Sequence, residues 1–474
     1  MTERDDASTI LRFPAGFRWG AGTSAYQVEG AVDEDGRGES IWDRFSHTPG
    51  RVAHDDTGDV TSDHYHRWRE DVASMAEIGL NAYRFSLAWP RIQPAGRGAS
   101  NEAGLAHYDR LIDALLERGI EPCPTLYHWD LPQVLEDAGG WLARATADRF
   151  GDYAATCFER FGDRVRTWFT VNEPWVAATL GYRLGIHAPG HRDLGEAVAA
   201  SHHLLLGHAR AVEAFRASGK GRGGGRIGIV LSLSPTEPAT DDEADRTAAS
   251  GSDGYTNRWF LDAVLRGTYP VDMLELFERL TGPLATIRPG DAAAIGGPSD
   301  LLGVNYYTRR VVSAGTADGG LPWTVAPPST AVPRTDTGWE ITPSRLTDLL
   351  VRLRDEPGAL PIVIAENGAV FLDAPGPDGR THDLERISFL RQHLAAIHRA
   401  IELGAPVEGY FHWSLLDNFE WAEGFRSRFG LIHVDYPSGR RLIKDSGHAY
   451  AAIIAANGFA AGADDLVAPA APRA

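Results

Sequence analysis

Cysteine and methionine are both scarce in this chain. It has two cysteines, Cys123 and Cys157, and three methionines among 474 residues. Two cysteines allow one disulfide at most, so they cannot form the multiple cross-links on which small extracellular folds depend. We expect both thiols to be reduced and buried, because a chain of this length can build a large core without cross-links.

Long hydrophobic runs are also missing. No segment approaches 18 consecutive apolar residues, so the sequence predicts no membrane-spanning helix. The first ten residues, MTERDDASTI, include acidic side chains and no apolar stretch, which is not the pattern of a secretion signal. The simplest expectation is a cytoplasmic protein, and an unconventional export route stays open.

Basic residues are fewer than acidic ones in this chain. Lysine and arginine total 46 against 64 aspartates and glutamates, and the formal net charge is −18. Such a surface repels nucleic acids and anionic membranes and discourages polyanionic substrates. We therefore expect no nucleic-acid or membrane partner and a neutral small-molecule ligand, for which sugars are the obvious polar class. The oligomeric state is not readable from the sequence.

Tryptophan, by contrast, is abundant, with 13 residues. A buried indole N–H needs a hydrogen-bond partner, so tryptophan is a costly core filler. We expect most of these residues to pack in the core. The flat face of an indole also suits the C–H face of a sugar ring, so the position of the others matters.

Short apolar runs alternate with longer amphipathic stretches along the chain. The candidate strands are 17–22, 81–87, 121–127, 166–171, 226–231, 300–305, 361–365 and 407–413. The candidate helices are 63–78, 104–118, 142–162, 194–217, 382–403 and 445–456, and Gly79, Gly119 and Gly404 are candidate left-handed helix caps. This alternation predicts an α/β fold, a single-domain (β/α)8 TIM barrel, rather than an open sheet.

Two segments are expected to be irregular. Residues 313–338 are rich in Gly, Pro, Thr and Ser and predict a long loop near the active-site end of the barrel. Residues 457–474 predict a fraying C-terminal tail, because they are rich in Ala, Pro and Asp. The ordered barrel is therefore expected to span about 11–456 of a single domain, 1–474.

Two carboxylates end two of the apolar strands. Glu173 follows the fourth strand and precedes Pro174, and Glu366 follows the seventh and precedes Asn367. Because burying a carboxylate is expensive unless it is paired, these residues indicate either an ion pair at each strand end or a catalytic pair. Glycoside cleavage needs two carboxyl groups on either side of one bond. Further polar and aromatic residues follow other strands, as expected at the active-site end of a barrel.

Four motifs, each at a predicted strand end, resemble glycoside hydrolase family 1, the β-glucosidase family, across nearly the full chain. They are FRWGAGTSAYQVEGA (17–31), TVNEPW (170–175), IAENG (364–368) and WSLLDNFEWAEGF (413–425). One departure is Ala365, where the family usually has Thr, and we expect this change to affect local packing rather than chemistry.

The resemblance implies a role for each site residue. Glu173 would be the acid/base and Glu366 the nucleophile of a retaining mechanism, with their carboxyl groups about 5–5.5 Å apart. Arg84 would keep Glu366 ionised, Tyr307 would donate a hydrogen bond to it, and Asn305 would support the pair. The implied sugar-binding residues are Gln27, His128, Trp129, Asn172, Trp413, Glu420, Trp421 and Phe429. Trp175 and Trp339 resemble residues of the aglycone site.

The implied activity is hydrolysis of terminal β-D-glucosyl residues from cellobiose-type oligosaccharides and aryl glucosides, with no cofactor or metal. Activity on β-galactosides and β-fucosides, and transfer of the sugar to an alcohol, stay open. A 6-phospho-β-glucosidase is the main alternative, but Glu420-Trp421 and Phe429 favour unphosphorylated sugars. A non-catalytic sugar-binding barrel is disfavoured because both glutamates are present. A metal at His128 is disfavoured because no second ligand lies at metal spacing.

Overall fold

The eight predicted strands form a closed parallel barrel. The computed structural model describes residues 9–462 and 465. The barrel strands are β1 (Arg18–Gly22), β2 (Ala82–Ser86), β3 (Glu121–Tyr127), β4 (Thr167–Asn172), β5 (Arg226–Ser232), β6 (Leu301–Asn305), β7 (Ile362–Asn367) and β8 (Val407–Trp413). Each lies within two residues of its predicted bounds, and β8 pairs with β1 to close the ring. The predicted (β/α)8 barrel is confirmed.

The six predicted helices are also present. They are His64–Ile78, Glu102–Glu117, Arg144–Phe161, Leu194–Ala217, Leu384–Glu402 and Asp445–Ala456. Gly79, Gly119 and Gly404 follow three of them with φ angles of 83°, 72° and 92°. Shorter helices cover Ala25–Val28, Ile41–Ser46, Trp89–Ile92, Gln133–Glu136, Pro174–Ala178 and Asp291–Ile295.

Besides these shorter helices, four longer helices were not predicted. They are Glu243–Asp253, Trp259–Arg266 and Val271–Thr281 between β5 and β6, and Pro343–Asp355 between β6 and β7. In Pro343–Asp355 the buried residues include Leu346, Leu349, Leu350 and Leu353, at the spacing of one helix face. This helix completes the outer ring between β6 and β7, so the sequence pattern was present although the helix was not recognised.

Side chains from seven of the strands fill the barrel interior. They are Ala82, Cys123, Phe169, Val230, Leu301, Val363, Ala365 and Phe411. β1 contributes Gly20 instead, where a Cβ atom would lie 2.3 Å from the Phe411 ring. The interior is thus a packed core, and Ala365 is part of it, as expected for a position that affects packing. Cys123 and Cys157 are both buried and free, as predicted.

Two of the expected irregular segments contain strands. Within 313–338, Trp323–Val325 pairs with Arg310–Ala314, which also pairs with Thr236–Pro238. The C-terminal Gly458–Ala461 pairs antiparallel with Thr9–Arg12. The tail therefore does not begin at 457, because a pairing partner more than 400 residues away orders it and local composition cannot reveal that partner. Residues 463–464 and 466–474 of the expected tail lie outside the described part.

The last small sheet joins Ile432–Asp435 to Arg440–Ile443 after β8. No helix among residues 9–462 combines the length and the apolar character needed to cross a bilayer. A cytoplasmic location stays a prediction.

Candidate active site

A cavity of about 350 Å³ opens at the carboxyl ends of the barrel strands. Both candidate catalytic residues, Glu173 and Glu366, line it. The predicted residues that also line it are His128, Trp129, Trp175, Tyr307, Trp339, Trp413, Glu420, Trp421 and Phe429. Arg84, Gln27, Asn172 and Asn305 are buried and lie behind this lining. The structure thus brings every predicted site residue into one region.

Glu366 is held by a cation and a phenol. Arg84 Nη1 donates to Glu366 Oε1 at 2.6 Å, and the Tyr307 hydroxyl donates to Oε2 at 2.6 Å. Tyr307 comes from the segment after β6, the strand next to β7, whereas Arg84 comes from β2, which is separated from β7 by β8 and β1. Because both carboxylate oxygens are engaged, the side chain has a fixed orientation and its negative charge is compensated.

Glu173 lies in a different electrostatic environment. Asn305 Nδ2 donates to Glu173 Oε1 at 2.9 Å, and no cation is paired with Glu173 among the described residues. Burial raises the pKa of Glu173 to about 8, and the negative charge of Glu366 adds to the effect, whereas the Asn305 hydrogen bond opposes it. Glu173 is therefore protonated at neutral pH, so the two carboxyl groups differ in charge.

Asn172 connects the two carboxyl environments. Its Oδ1 accepts from Arg84 Nη2 at 2.7 Å and from Asn305 Nδ2 at 3.2 Å. Its amide nitrogen lies 3.1 Å from His128 Nε2. Burial, then the nearby Arg84 charge, lowers the pKa of His128 well below its usual value, so the ring is neutral and Nε2 can accept from the amide. This network fixes the position of each catalytic carboxyl relative to the other.

Gln27 holds Glu420 from behind. Its amide nitrogen donates to Glu420 Oε2 at 3.2 Å and to the Phe419 carbonyl at 2.9 Å, and its Oε1 accepts from the Ser24 hydroxyl at 2.7 Å. Burial, and next the charge of Glu366, raise the pKa of Glu420 to about 8. The carboxyl that faces the cavity is thus largely protonated at neutral pH, and Gln27 positions it.

Aromatic rings form the walls next to Glu420. The His128 ring is stacked on those of Trp413 and Trp421, with centroids 5.6 and 5.9 Å apart. Trp129 packs against Trp421 at 4.6 Å and donates its indole N–H to the Asn172 carbonyl at 3.0 Å. Trp129 and Trp421 have positive φ angles of 79° and 50°, a strained backbone that is concentrated at functional sites.

The outer part of the cavity is also aromatic. Trp339 is 36% exposed and packs against Tyr307 at 5.3 Å and Phe429 at 6.3 Å. Trp175 lies two residues after Glu173, on the helix Pro174–Ala178. These rings offer flat apolar surfaces further from the buried carboxyl groups.

Sequence reasoning missed several lining residues, which are Val176, Leu180, His187, Ser232, Ser234, Thr308, Arg310 and Glu423. Ser232 is the last residue of β5, so the rule that strand ends carry function could have found it. Thr308 and Arg310 follow β6 in the same way. His187 lies in a loop distant from any strand end, and no sequence signal points to it.

A cluster of charged residues lies behind the Glu420 loop. Asp373, Asp417 and His433 are close enough to hold a metal ion. Lys444 Nζ instead lies 2.8 Å from Asp373 and 2.9 Å from Asp417, and Arg428 Nη1 donates to Asp417 at 2.7 Å. The cations already balance these carboxylates, so the arrangement is an ion-pair network that anchors the segment after β8.

Comparison with known proteins places this geometry in a family. The model of "Glycosyl hydrolase family 1" matches residues 10–459. The chain is 45% identical to Beta-glucosidase A of Thermotoga maritima over 451 residues, covering 95% of this chain and 99% of that protein. It is 44% identical to a bifunctional beta-D-glucosidase/beta-D-fucosidase of Bifidobacterium breve over 463 residues, covering 94% and 98%. The crystal structure of the AHE enzyme from Alicyclobacillus herbarius superposes with a TM-score of 0.91 at 50% identity, covering 95% and 100%. The chain therefore belongs to glycosyl hydrolase family 1.

Proposed function

We propose that this protein is a retaining β-glucosidase that removes terminal β-D-glucosyl residues from short β-glucosides and aryl glucosides. The observation that carries the proposal is the difference in charge between two glutamates in one cavity. Glu366 is paired with Arg84, whereas burial and the charge of Glu366 keep Glu173 protonated. Cleavage of a glycosidic bond requires such a pair, one carboxylate and one carboxylic acid.

In the first step Glu366 attacks the anomeric carbon while Glu173 gives its proton to the leaving oxygen. The bond from the anomeric carbon to that oxygen breaks, and an ester forms between the sugar and Glu366. Arg84 and Tyr307 orient the attacking carboxylate through its two oxygens.

The second step uses Glu173 as a base. Once Glu366 is an ester it has no charge, so one of the causes that raise the pKa of Glu173 disappears. Glu173 can then take a proton from water as the water attacks the anomeric carbon. The ester bond between that carbon and Glu366 breaks, which releases the sugar and regenerates the Glu366 carboxylate. Two inversions at this carbon give net retention.

Neutral sugars are the proposed glycone. Glu420 is largely protonated, and the nearest cations of the same segment are engaged, since Arg426 pairs with Glu423 and Arg428 with Asp417. A phosphate on the sugar would therefore find no free cation beside Glu420 in the described part of the chain, and a 6-phospho-β-glucosidase is not favoured. The named activity of the Bifidobacterium breve relative supports β-fucosides as additional substrates.

The test is the configuration of the first-formed product. Proton NMR of 4-nitrophenyl β-D-glucoside hydrolysis should show β-glucose first, and initial α-glucose would refute a retaining mechanism. Glu366→Gly should abolish turnover while the protein stays folded. Glu173→Ala should reduce the rate of hydrolysis most for substrates with poor leaving groups. Azide should restore part of the rate by forming a β-glycosyl azide. Absence of both Glu173→Ala effects would reassign the acid/base.

A further inference from the structure

One cation in the active-site cavity has no counter-charge among the residues that the structure describes. Arg310 begins the strand Arg310–Ala314, and its backbone N–H is fixed by the Pro235 carbonyl at 2.8 Å. Its side chain lines the cavity that contains Glu173 and Glu366. Within residues 9–462 no acceptor is bonded to its guanidinium. Nε is fully buried, whereas Nη1 and Nη2 are not among the fully buried atoms of the described residues.

The neighbouring residue shows that acceptors are available locally. Arg309 Nε donates to Glu340 at 2.6 Å, and its Nη1 donates to Glu237 at 3.0 Å. The chain has 18 more acidic than basic side chains, so an unpaired arginine is unexpected on composition. A largely buried cation without a partner is costly, and such groups are concentrated at sites where a ligand supplies the missing charge.

Arg310 faces the part of the cavity where a leaving group would lie. Its guanidinium carbon is 5.0 Å from the centre of the Trp175 ring, and Trp175 is two residues after the proposed acid/base Glu173. Because Glu173 protonates the leaving oxygen, the group attached to that oxygen lies on the same side. Arg310 and Trp339 also line an adjoining cleft of about 220 Å³, which offers room for that group.

A second cation reinforces the positive potential. The positive charge of Arg183 contributes, after burial, to a lowered pKa of Arg310. Arg183 Nη2 donates to the Asp318 carbonyl at 2.6 Å, and its Nε is buried with no partner in the described part of the chain. An arginine does not lose its proton in a protein, so this region keeps its positive charge. None of the acidic groups that also line the cavity supplies a free negative charge to Arg310. Glu173 and Glu420 are largely protonated at neutral pH, Glu366 is paired with Arg84, and Glu423 is paired with Arg426.

We propose that Arg310 forms an anion-binding subsite for the leaving group, and that aryl β-glucosides with a carboxylate on the aglycone are preferred substrates. The inference rests on the proposed β-glucosidase function. A guanidinium binds a carboxylate through two parallel hydrogen bonds, and the indoles of Trp175 and Trp339 provide faces for an aryl ring. The overall charge of −18 does not oppose a contact of this kind, because salt screens exposed charges beyond about 8 Å.

The experiment compares 4-carboxyphenyl β-D-glucoside with the neutral 4-carboxamidophenyl β-D-glucoside. We expect the ratio of their kcat/KM values to fall about tenfold or more in Arg310→Gln relative to the unmodified protein, as loss of a charge-assisted hydrogen bond implies. Dividing the ratio for the variant by the ratio for the unmodified protein cancels the difference in intrinsic reactivity between the two leaving groups. Arg310→Lys should restore part of the ratio, because it keeps the charge but loses the bidentate geometry.

Arg222→Gln is the matched control. It removes the same charge from an exposed turn, Lys220–Gly223, which precedes β5 at the opposite end of the barrel. The control should keep the unmodified ratio. A ratio that falls equally in both variants would mean that net charge alone is responsible, and it would overturn the subsite.

Two further outcomes separate this inference from the proposed function. In the first outcome, Arg310→Gln hydrolyses the carboxamide substrate, but the ratio of the two kcat/KM values is the same as in the unmodified protein. This outcome would overturn the subsite and leave the β-glucosidase function intact. Binding of 4-hydroxybenzoate and 4-hydroxybenzamide, measured by calorimetry, does not depend on turnover. We expect Arg310→Gln to weaken the benzoate about tenfold relative to the benzamide, and equal weakening of both would refute the subsite even in an inactive protein.

Discussion

Replacing the proposed acid/base with its neutral isostere, Glu173→Gln, should stabilise the folded protein at neutral pH. In the unfolded chain Glu173 ionises with its ordinary pKa of 4.5, whereas in the fold its pKa is about 8. Between these two pH values the folded state binds more protons than the unfolded state. Stability is therefore lost as the pH rises through this window. Glutamine does not titrate, so the variant avoids this loss.

The size of the effect follows from the two pKa values. Each pH unit between them costs about 1.4 kcal/mol, so the loss at pH 7 is about 3 kcal/mol, as an upper estimate. The unfolding entropy of a 474-residue chain is about 1 kcal/mol per kelvin. Glu173→Gln should therefore raise the melting temperature by roughly 3 °C at pH 7. Glutamine Oε1 can still accept from Asn305, so the local hydrogen bond is kept.

The assay is thermal unfolding of both proteins at a series of pH values from 4 to 8. Because the protonation states of glutamate in the two states converge below pH 4.5, the difference should nearly vanish at pH 4. The matched control is Glu366→Gln, which leaves buried Arg84 without its partner. This variant should lose about 3–5 kcal/mol, a shift of opposite sign.

Two results would refute the reasoning. If the melting temperatures of Glu173→Gln and the unmodified protein agree at pH 7, Glu173 is ionised in the fold and its pKa is not raised. If Glu173→Gln is more stable by the same amount at pH 4 and pH 7, better packing rather than protonation explains the gain. Either result would remove the charge difference on which the catalytic assignment depends.

Three other measurements test the same electrostatics. kcat/KM should fall on the alkaline side with an apparent pKa near 8, because Glu173 must be protonated to act as an acid. An activity that stays flat to pH 10 would contradict this. Lys444→Met should cost about 3–5 kcal/mol in denaturant unfolding, since it leaves Asp373 and Asp417 without a shared cation. A loss below about 1 kcal/mol would show that the other cations of the network suffice. Asp130→Asn should stabilise the protein more at pH 7 than at pH 4. Neither Asp130 side-chain oxygen has a partner on another residue within 9–462, and burial raises the pKa of Asp130 well above its usual value. An equal gain at both pH values would mean that Asp130 is ionised.

The barrel was predictable because its signals are local. Apolar runs such as 361–365 and 407–413 mark the strands, and glycines such as Gly79 mark helix ends by taking a left-handed conformation. The pairing of Gly458–Ala461 with Thr9–Arg12 was not predictable, because it joins the two ends of the chain. The helices between β5 and β6 have the usual amphipathic pattern, for example Met273, Leu276 and Phe277 buried on one face of Val271–Thr281, so this signal was present although it was not recognised.

The two catalytic candidates could be predicted from the free energy of desolvation. Burying an unpaired carboxylate at the end of an apolar strand is unfavourable, so its presence there indicates a functional role or an ion pair. Their different charge states were implied only by the family resemblance and did not follow from the strand pattern, because these states depend on partners from other strands. Arg84 comes from β2 and Asn305 from β6, and neither is adjacent to Glu173 or Glu366 in the sequence. The position of Gln27 behind Glu420 likewise needed the fold, since the two lie 393 residues apart.

The distribution of charge across the cavity accounts for both proposals together. Three glutamates surround its inner part, but Arg84 compensates Glu366, while Glu173 and Glu420 are largely protonated at neutral pH. The inner part is thus close to neutral and suits a neutral sugar. The outer part contains Arg310, which has no counter-ion among the described residues, so it has a net positive charge. Selection of the sugar and selection of the leaving group therefore depend on different groups. A substitution at Arg310 should change preference among aglycones without changing preference among sugars.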